Sequence, residues 1–154
     1  MIIPKLEFAF TVRLVLKPAI WLRPTAVGAE RAAVYLERGD FEGPAIRGRV
    51  LPESGADWAL MRPDGVIDFD ARYMLEADDG TPIYIQNRGF RWGSAEAMAA
   101  MARREEVDPS RYYMRTAPRF EAPQGPHDWL NRHVFVGAGE KTPDGNQIHY
   151  FKVL

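Results

Sequence analysis

The sequence predicts an all-β, mainly antiparallel protein that closes into a β-barrel of about eight to ten strands with one main helix. Its 13 glycines and 12 prolines lie in short clusters along the chain rather than in one linker, which is typical of many short strands joined by turns. Several segments between these clusters alternate apolar and polar residues with the two-residue period of a strand. One alanine-rich segment breaks this pattern and predicts the helix.

Nine segments have strand character and are separated by turn signals such as RPDG, ADDG and TPDG. A flat sheet of that width would expose two long edges, which closure into a barrel or a closed-up sandwich removes. The predicted strands are Leu6–Leu16, Arg31–Glu37, Ala45–Leu51, Trp58–Met61, Val66–Glu76, Pro82–Phe90, Tyr112–Phe120, Arg132–Val136 and Gln147–Val153.

The predicted helix runs from Ser94 to Glu106. Ser94 is a good N-cap residue, and Met98 and Met101 share one helix face because they are three residues apart. The helix must end before Asp108, since a residue that precedes a proline disfavours the helical conformation. We expect the methionine face to cover a barrel mouth or to contact another subunit. A second, short helical turn is expected at residues 127–130.

The composition narrows the class of protein. The 154 residues, 46% of them hydrophobic, suit one β-barrel domain that spans residues 1–154. Twenty basic and 21 acidic residues leave a net charge of −1, which argues against a nucleic-acid partner. No segment has the length of a membrane span or the pattern of a signal peptide. We therefore expect a soluble, cytoplasmic protein that binds neither nucleic acid nor membrane.

The absence of cysteine excludes disulfides, thiolate metal ligands and cysteine nucleophiles. The three histidines, His127, His133 and His149, lack the spacing of a joint metal site. GxSxG, GxGxxG and P-loop sequences are also missing. We therefore expect neither a metal nor an organic cofactor.

The clearest candidate site lies on the strand VIDFDARYML, residues 66–75. Alternation puts its apolar residues on a core face and Asp68, Asp70 and Arg72 on the opposite face. If the polar face lines a lumen, Asp70 can act as a general base and Arg72 can hold a carboxylate, phenolate or enolate. The alternative is an exposed ion pair that contributes less than ~1 kcal/mol to stability.

Asp57 and Trp58 form a second candidate site, with a carboxylate beside a flat apolar wall. The alternative is a core tryptophan next to an aspartate that caps a turn. Arg62 and Asp64 follow in the turn RPDG, where Asp64 is expected to shape the turn.

Two further pairs have the residue types of a ligand site. Tyr113 and Arg115 share one strand face, where a phenol and a guanidinium can hold an oxyanion. Trp129 and Asn131 lie two residues apart in the segment HDWLNRH and combine an aromatic wall with a polar group. Either pair can also lie on the solvated surface.

Three segments taken in order carry a family resemblance: GDFEGPAIRGRVLPESGADW, RPDGVIDFDARYMLEADDGTPIYIQNRG and YYMRTAPRFEAPQGPHDWLNRHVFVGAG. From Leu6 to the C-terminus the chain resembles the bacterial and fungal family named domain of unknown function 3237. Two small departures are ESGADW, where the family usually shows paired glycines, and FEAP, where the family favours threonine after the glutamate.

The resemblance implies a compact antiparallel barrel with an interior pocket, often associated into oligomers. The resemblance implies no particular reaction, since most members of the family have no assigned reaction. It makes us expect Asp70 and Arg72 to face a cavity. The family's recurring polar and aromatic positions fall on Asp57, Trp58, Arg62, Asp64, Asp70, Arg72, Tyr113, Arg115, Trp129 and Asn131.

Two functions fit these residues, and the sequence leaves open whether the protein is an enzyme. The first is cofactor-independent acid–base chemistry on an oxygenated or aromatic metabolite, of lyase, isomerase or cyclase type. The second is a binding or carrier barrel with no turnover; a structural oligomer with a solvated polar face is a third interpretation. The catalytic candidates are Asp70, Asp57, Arg72, Arg115 and Tyr113, and the ligand-binding candidates are Trp58, Arg62, Trp129 and Asn131. The expected partners are a small molecule and further copies of the chain.

Overall fold

The computed structural model describes all residues from 1 to 154 and shows a closed antiparallel β-barrel with a single α-helix. The fold class predicted from the sequence is confirmed. The strands are β1 Leu6–Leu16, β2 Ile20–Leu22, β3 Glu30–Glu42, β4 Arg47–Val50, β5 Ala56–Asp57, β6 Leu60–Met61, β7 Ile67–Ala77, β8 Pro82–Gly93, β9 Tyr112–Glu121, β10 Phe135–Thr142 and β11 Gly145–Val153. The helix α1 is Ala95–Ala102, and short 3-10 helices lie at Pro109–Arg111 and Asp128–Arg132.

Eight strands close the barrel in the order β1-β11-β10-β9-β8-β7-β4-β3, and β3 pairs back onto β1. The other three strands extend this ring. β5 and β6 follow β4 between the edges of β3 and β7, and β2 pairs with β3 at residues 31–33, beyond its pairing with β1. The barrel wall is therefore complete. Two of its eight positions are each built from more than one strand, namely β1 with β2, and β4 with β5 and β6.

One end of the barrel is filled by aromatic side chains. Phe10 lies 5.5 Å from Phe120 and 5.4 Å from Tyr150, measured between ring centroids. Phe120 lies 5.0 Å from Phe135 in an edge-to-face arrangement, the geometry that aromatic pairs prefer. The 3-10 helix Asp128–Arg132 closes this end with the buried Leu130. Because aromatic side chains fill this half of the interior, the interior space for a ligand lies towards the opposite end.

The opposite end, called the mouth here, is covered by α1. Ser94 caps the helix by accepting a hydrogen bond from the Ala97 N–H, as predicted. The helix ends at Ala102, earlier than the predicted Glu106, because Arg104 adopts a left-handed conformation with φ 62°. Met101 is 3% exposed and packs on the barrel, so the methionine face covers the mouth.

Most predicted strands are present with shifted ends, and the strand predicted at Arg132–Val136 is the largest error. β10 runs from Phe135 to Thr142, because two glycines that look like breakers lie inside it. A Cβ on Gly137 would lie 2.3 Å from Thr116 Oγ1, and a Cβ on Gly139 would lie 2.7 Å from Met114 Cγ. These glycines permit close packing of β9 against β10 rather than a turn.

Two other differences concern short strands. The predicted strand Trp58–Met61 is replaced by β5 and β6, which leave Trp58 between them. β2 was not predicted, because three apolar residues between prolines carry no alternation. The single α-helix, of eight residues, falls short of the length and apolar character needed to span a membrane.

Candidate functional site

A cavity of about 250 Å³ lies at the mouth, between the strand ends and α1. Eleven of the 19 residues around it are hydrophobic, and ligand sites are commonly apolar cavities with a few polar groups. The charged residues around it are Lys17, Asp57, Arg91, Arg104, Lys141 and Asp144.

Asp57 reaches this cavity because of its strand pairing. It lies opposite Val34 of β3 and Ala71 of β7, and directly paired residues point to the same side of a sheet. Val34 and Ala71 line the barrel interior, so Asp57 does as well. The next residue, Trp58, is 44% exposed and packs edge-to-face on Tyr35 outside the barrel.

The environment of Asp57 disfavours its ionised form. Burial raises the pKa of this carboxyl to about 6, and the charges of Asp68 and Asp70 act in the same direction. A hydrogen bond from the Asp70 N–H to Asp57 Oδ1, 3.0 Å long, and the charge of Arg91 oppose the rise in pKa. Oδ1 is thus held by the backbone, and Oδ2 is the oxygen available to a ligand. A carboxyl with such a pKa can accept a proton near neutral pH.

Arg91 and Lys141 are the two partly buried cations of the cavity. Arg91 lies opposite the buried Ile67 and Met114 and therefore points inward. Its guanidinium lies 5.8 Å from the centre of the Phe69 ring. Lys141 Nζ donates to the Gly145 carbonyl at 2.7 Å, and burial together with Arg91 and Arg104 lowers its pKa to about 8.

A second, smaller cavity of about 30 Å³ continues the space towards the middle of the barrel. This volume holds a water molecule or a single ligand oxygen. Buried oxygens of Tyr73, Asn87 and Thr116, which all line it, have no hydrogen-bond partner in the protein. Unpaired buried polar groups cost stability, and these three side chains make this the polar part of the barrel interior, with the Tyr73 hydroxyl beside that of Tyr150. The residues shared with the mouth cavity are Leu16, Val34, Asp57, Phe69 and Asn146.

Asp70 and Arg72 lie outside the barrel. On β7 the apolar residues point inward, as predicted, so the alternate polar residues point outward. An eight-stranded barrel is filled by side chains and leaves little room for a polar inner face. Arg72 donates two hydrogen bonds to Asp70, at 3.2 and 3.1 Å, and Gln86 donates a third at 3.1 Å. The expectation that this pair faces the lumen does not hold.

Tyr113 and Arg115 also lie on the outer face. Their neighbours on β9, Met114 and Thr116, are the buried residues. Tyr113 stacks on Trp92 at 5.4 Å, and the Arg115 guanidinium lies 5.5 Å from the Tyr113 ring. Both line an open surface groove of about 710 Å³. The structure therefore separates this pair from Asp57 by the barrel wall.

The remaining candidates have local structural contacts. Arg62 pairs with Asp64 in the turn before β7. Trp129 packs 5.9 Å from Phe135 at the closed end. Asn131 binds the backbone of Ala122 through both its amide nitrogen and its oxygen, at 2.9 and 2.8 Å. None of these three candidates lines the mouth cavity.

Sequence reasoning missed Asn87, Arg91 and Lys141. The strand PIYIQNRGFRWG contained a signal for the first two, because the inward parity of Ile83 and Ile85 continues through Asn87 to Arg91. The inner face of β8 thus changes from apolar at the closed end to charged at the mouth. Lys141 carried no such signal, since its strand was predicted to end before it.

The histidines have separate contacts. His127 Nε2 lies 2.8 Å from Asp79, His149 Nδ1 lies 2.8 Å from Thr11, and His133 donates to the Trp129 carbonyl. No three histidine, aspartate or glutamate side chains are placed so that they could hold a metal ion. The absence of a metal remains a prediction.

The chain is similar to several bacterial proteins named UPF0311. A UPF0311 protein from Rhodopseudomonas palustris is 39% identical over 124 residues, which cover 80% of this chain and 80% of that protein. A UPF0311 protein from Clostridium acetobutylicum is 32% identical over 147 residues, which cover 96% and 92%.

Solved structures agree in fold. A conserved protein of unknown function from Rhodopseudomonas palustris has a TM-score of 0.92 at 32% identity, covering 100% of this chain and 99% of the other. A beta-barrel like protein from Acinetobacter baumannii has a TM-score of 0.86 at 32% identity, covering 100% and 98%. An enzyme from Penicillium herquei has a TM-score of 0.74 at 22% identity, covering 98% and 95%, and this likeness shows the fold alone. The profile described as "Protein of unknown function (DUF3237)" matches residues 4–153, and the chain therefore belongs to this family.

Proposed function

We propose that the protein binds a small oxygenated organic molecule in the mouth cavity and that Asp57 acts on it as a general base. The reaction class is cofactor-independent proton transfer, as in a lyase, an isomerase or a cyclase. The observation that carries this proposal is a carboxyl inside an apolar cavity with its pKa raised to about 6. A base whose pKa lies near the working pH is largely in its ionised form, which can accept a proton, and it still has a high affinity for that proton.

The neighbouring groups have separate roles in this proposal. Phe69 and Val34 supply apolar walls on either side of Asp57. Tyr73 and Thr116 supply hydroxyl donors at the deep end, where a carbonyl oxygen of the ligand would lie. Burial raises the pKa of the Tyr73 hydroxyl, so that hydroxyl stays protonated and can donate.

The proposed step is a proton transfer between the ligand and Asp57. Asp57 Oδ2 takes a proton from a carbon next to the carbonyl, and the C–H electron pair moves to form an enolate. The hydroxyl donors stabilise the charge that develops on the enolate oxygen. Protonated Asp57 exchanges its proton with solvent and returns one to the same carbon, which gives exchange, or to another atom of a conjugated enolate, which gives isomerisation. In a lyase or a cyclase the enolate electron pair instead expels a leaving group on the β carbon or attacks a second carbonyl of the ligand to close a ring, and Asp57 gives its proton to the oxygen that becomes negative.

The test begins with a set of neutral aryl ketones screened for an increase in melting temperature. Ketones that stabilise the protein are then incubated in D2O, and NMR follows deuterium incorporation next to the carbonyl. We expect the wild type to accelerate exchange over buffer and Asp57→Asn to lose this acceleration, because the amide cannot accept the proton. Asp40→Asn, an exposed carboxylate paired with Arg13, is the matched control and should exchange like the wild type.

Three outcomes contradict the proposal in different ways. If no ketone binds, the mouth cavity is not a site for this class of ligand. If ketones bind but none exchanges faster than in buffer, the barrel is a binding or carrier protein without turnover. If Tyr113→Phe loses exchange while Asp57→Asn keeps it, the chemistry lies on the outer face.

Self-association remains a prediction, which light scattering on the purified protein tests.

A further inference from the structure

Arg91 is the only arginine of the chain that is not exposed. Ten exposed arginines form ion pairs with carboxylates. Arg91 forms none, and its buried Nε has no hydrogen-bond partner in the protein. This is the reverse of the usual pattern, in which buried charges are paired and surface charges need not be.

The contacts of Arg91 compensate its charge only in part. The Phe69 ring, 5.8 Å away, offers a cation–π contact, which is attractive but weaker than an ion pair. A buried charge without an ionic partner is destabilising. The charges around the cavity do not balance either, because four cations face two carboxylates: Lys17, Arg91, Arg104 and Lys141 against Asp57 and Asp144. None of these six residues forms an ion pair with another.

We propose that the mouth cavity binds the carboxylate of a small planar acid, with Arg91 as its main partner and Lys141 as a second cation. The guanidinium fork matches a planar carboxylate through two parallel hydrogen bonds, which the two terminal nitrogens donate. The apolar walls fit a ring or an alkene, and a volume of about 250 Å³ limits the ligand to a small one.

The inference specifies the ligand of the proposed function and uses the same cavity. A carboxylate at Arg91 directs the rest of the ligand past Asp57 towards Thr116 and the small inner cavity. The expected substrate class is therefore a small acid that carries a carboxylate at one end and a carbonyl or hydroxyl oxygen at the other. This differs from a neutral ketone, which uses only the inner groups.

The test uses benzoate as the probe, with benzamide as its neutral analogue and inorganic phosphate as a competing anion. Each is titrated into the 15N-labelled full-length protein and followed by NMR. We expect benzoate to shift amide signals near Arg91 and Lys141 and to bind more tightly than benzamide or phosphate. Arg91→Gln should weaken benzoate binding about tenfold or more, since it removes a charge-assisted hydrogen-bond pair. Arg91→Lys should recover only part of the affinity, because a lysine lacks the fork.

Arg88→Gln is the matched control, because Arg88 lies on the same strand but points outward and is exposed. Removing the unpaired charge of Arg91 should not prevent folding, and Lys141→Met gives a second variant that should also weaken benzoate. Equal binding of benzoate and benzamide, tighter binding of phosphate, no binding of benzoate, or unchanged affinity in Arg91→Gln would each overturn the inference.

The two proposals fail in distinguishable ways. Asp57→Asn should retain or strengthen benzoate binding, because it removes a nearby negative charge, whereas it should abolish ketone exchange. Benzoate binding that depends on Arg91, without exchange of any ketone, would support the carboxylate site and contradict the role of Asp57 as a general base. Ketone exchange that depends on Asp57, with a benzoate affinity that Arg91→Gln does not change, would support the general base and contradict the carboxylate site.

Discussion

Asp57 links the candidate site to the stability of the fold. Its carboxyl has a pKa of about 6 in the folded protein, against an ordinary value of 3.8. The folded state therefore holds this proton more tightly than the unfolded state does. The contribution to stability is complete below pH 3.8 and is lost as the pH rises through about 6.

Asp57→Asn should stabilise the protein at neutral pH. A pKa difference of about two units corresponds to about 3 kcal/mol above pH 7. The amide oxygen still accepts the Asp70 N–H bond, and the charged neighbours Arg91, Asp68 and Asp70 remain in both proteins. Urea denaturation from pH 4 to pH 8 should show equal stabilities at the acid end and a growing advantage of the variant at higher pH. A variant that is equally or less stable at pH 7.5 would contradict the assigned burial of this charge.

The Asp70–Arg72 pair should contribute little, in contrast to the expectation from the sequence. The side chains are 31% and 52% exposed, and solvent weakens such a pair. The hydrogen bonds from Arg72 and Gln86 lower the pKa of Asp70, but this side chain faces water. A double-mutant cycle of Asp70→Asn and Arg72→Met should give a coupling below ~1 kcal/mol. A larger coupling would place the pair in a less solvated setting than the structure shows.

Alternation predicted which residues share a face but not which face of a polar strand lies inside. For β7 the polar residues were expected to face the lumen, although in a small barrel it is the apolar residues of a strand that point inward. For β8 the same parity, begun at Ile83 and Ile85, leads to Arg91. Asp57 was a candidate because it lies beside a tryptophan in the sequence, and the structure places its side chain in the mouth cavity. Lys141 could not be found, because its strand contains two glycines that the sequence presents as breakers.

The helix α1 was predicted well because its signals are local. Ser94 supplies the cap, and the alanine-rich segment has high helix propensity. Its C-terminus was placed too late because the left-handed residue there is Arg104 rather than a glycine. The short strand β2 carried no alternation that would predict it, and it is stabilised by pairing with β3, which follows after the loop of residues 23–29.

The two methionines of α1 should differ in their effect on stability. Met101 is 3% exposed and lines the mouth cavity, whereas Met98 is only partly buried beside the same cluster. Met101→Ala should cost about 2–5 kcal/mol through the lost burial and the cavity left behind. Met98→Ala should cost clearly less, and alanine keeps the helix propensity high in both variants. Urea denaturation measures both, and equal losses would mean that Met98 is as deeply buried on the mouth as Met101.

At the scale of the molecule, the site follows from how the barrel is filled. Large aromatic residues occupy one end, so the interior polar groups and the free volume lie at the other. Closure itself was predictable from the number of strands, because a wide flat sheet would leave exposed edges. The positions at which the ring closes were not, since they depend on contacts between residues far apart in the sequence, such as Thr11 of β1 with Glu42 of β3.

The closing seam gives the last prediction. Gly39 of β3 lies between Leu14 of β1 and Val50 of β4, and a Cβ there would lie 2.4 Å from the Arg13 carbonyl oxygen. Because the β1 backbone on one side and the Val50 side chain on the other must shift, Gly39→Ala should cost about 1–3 kcal/mol and lower the melting temperature by several degrees. Gly93→Ala is the matched control, since its Cβ would meet Tyr112 Cβ only at 3.1 Å and the substitution also reduces the entropy of the unfolded chain. Equal melting temperatures of the two variants would show that the β1–β3 seam is looser than its register implies, and would weaken the case for a closed cavity around Asp57.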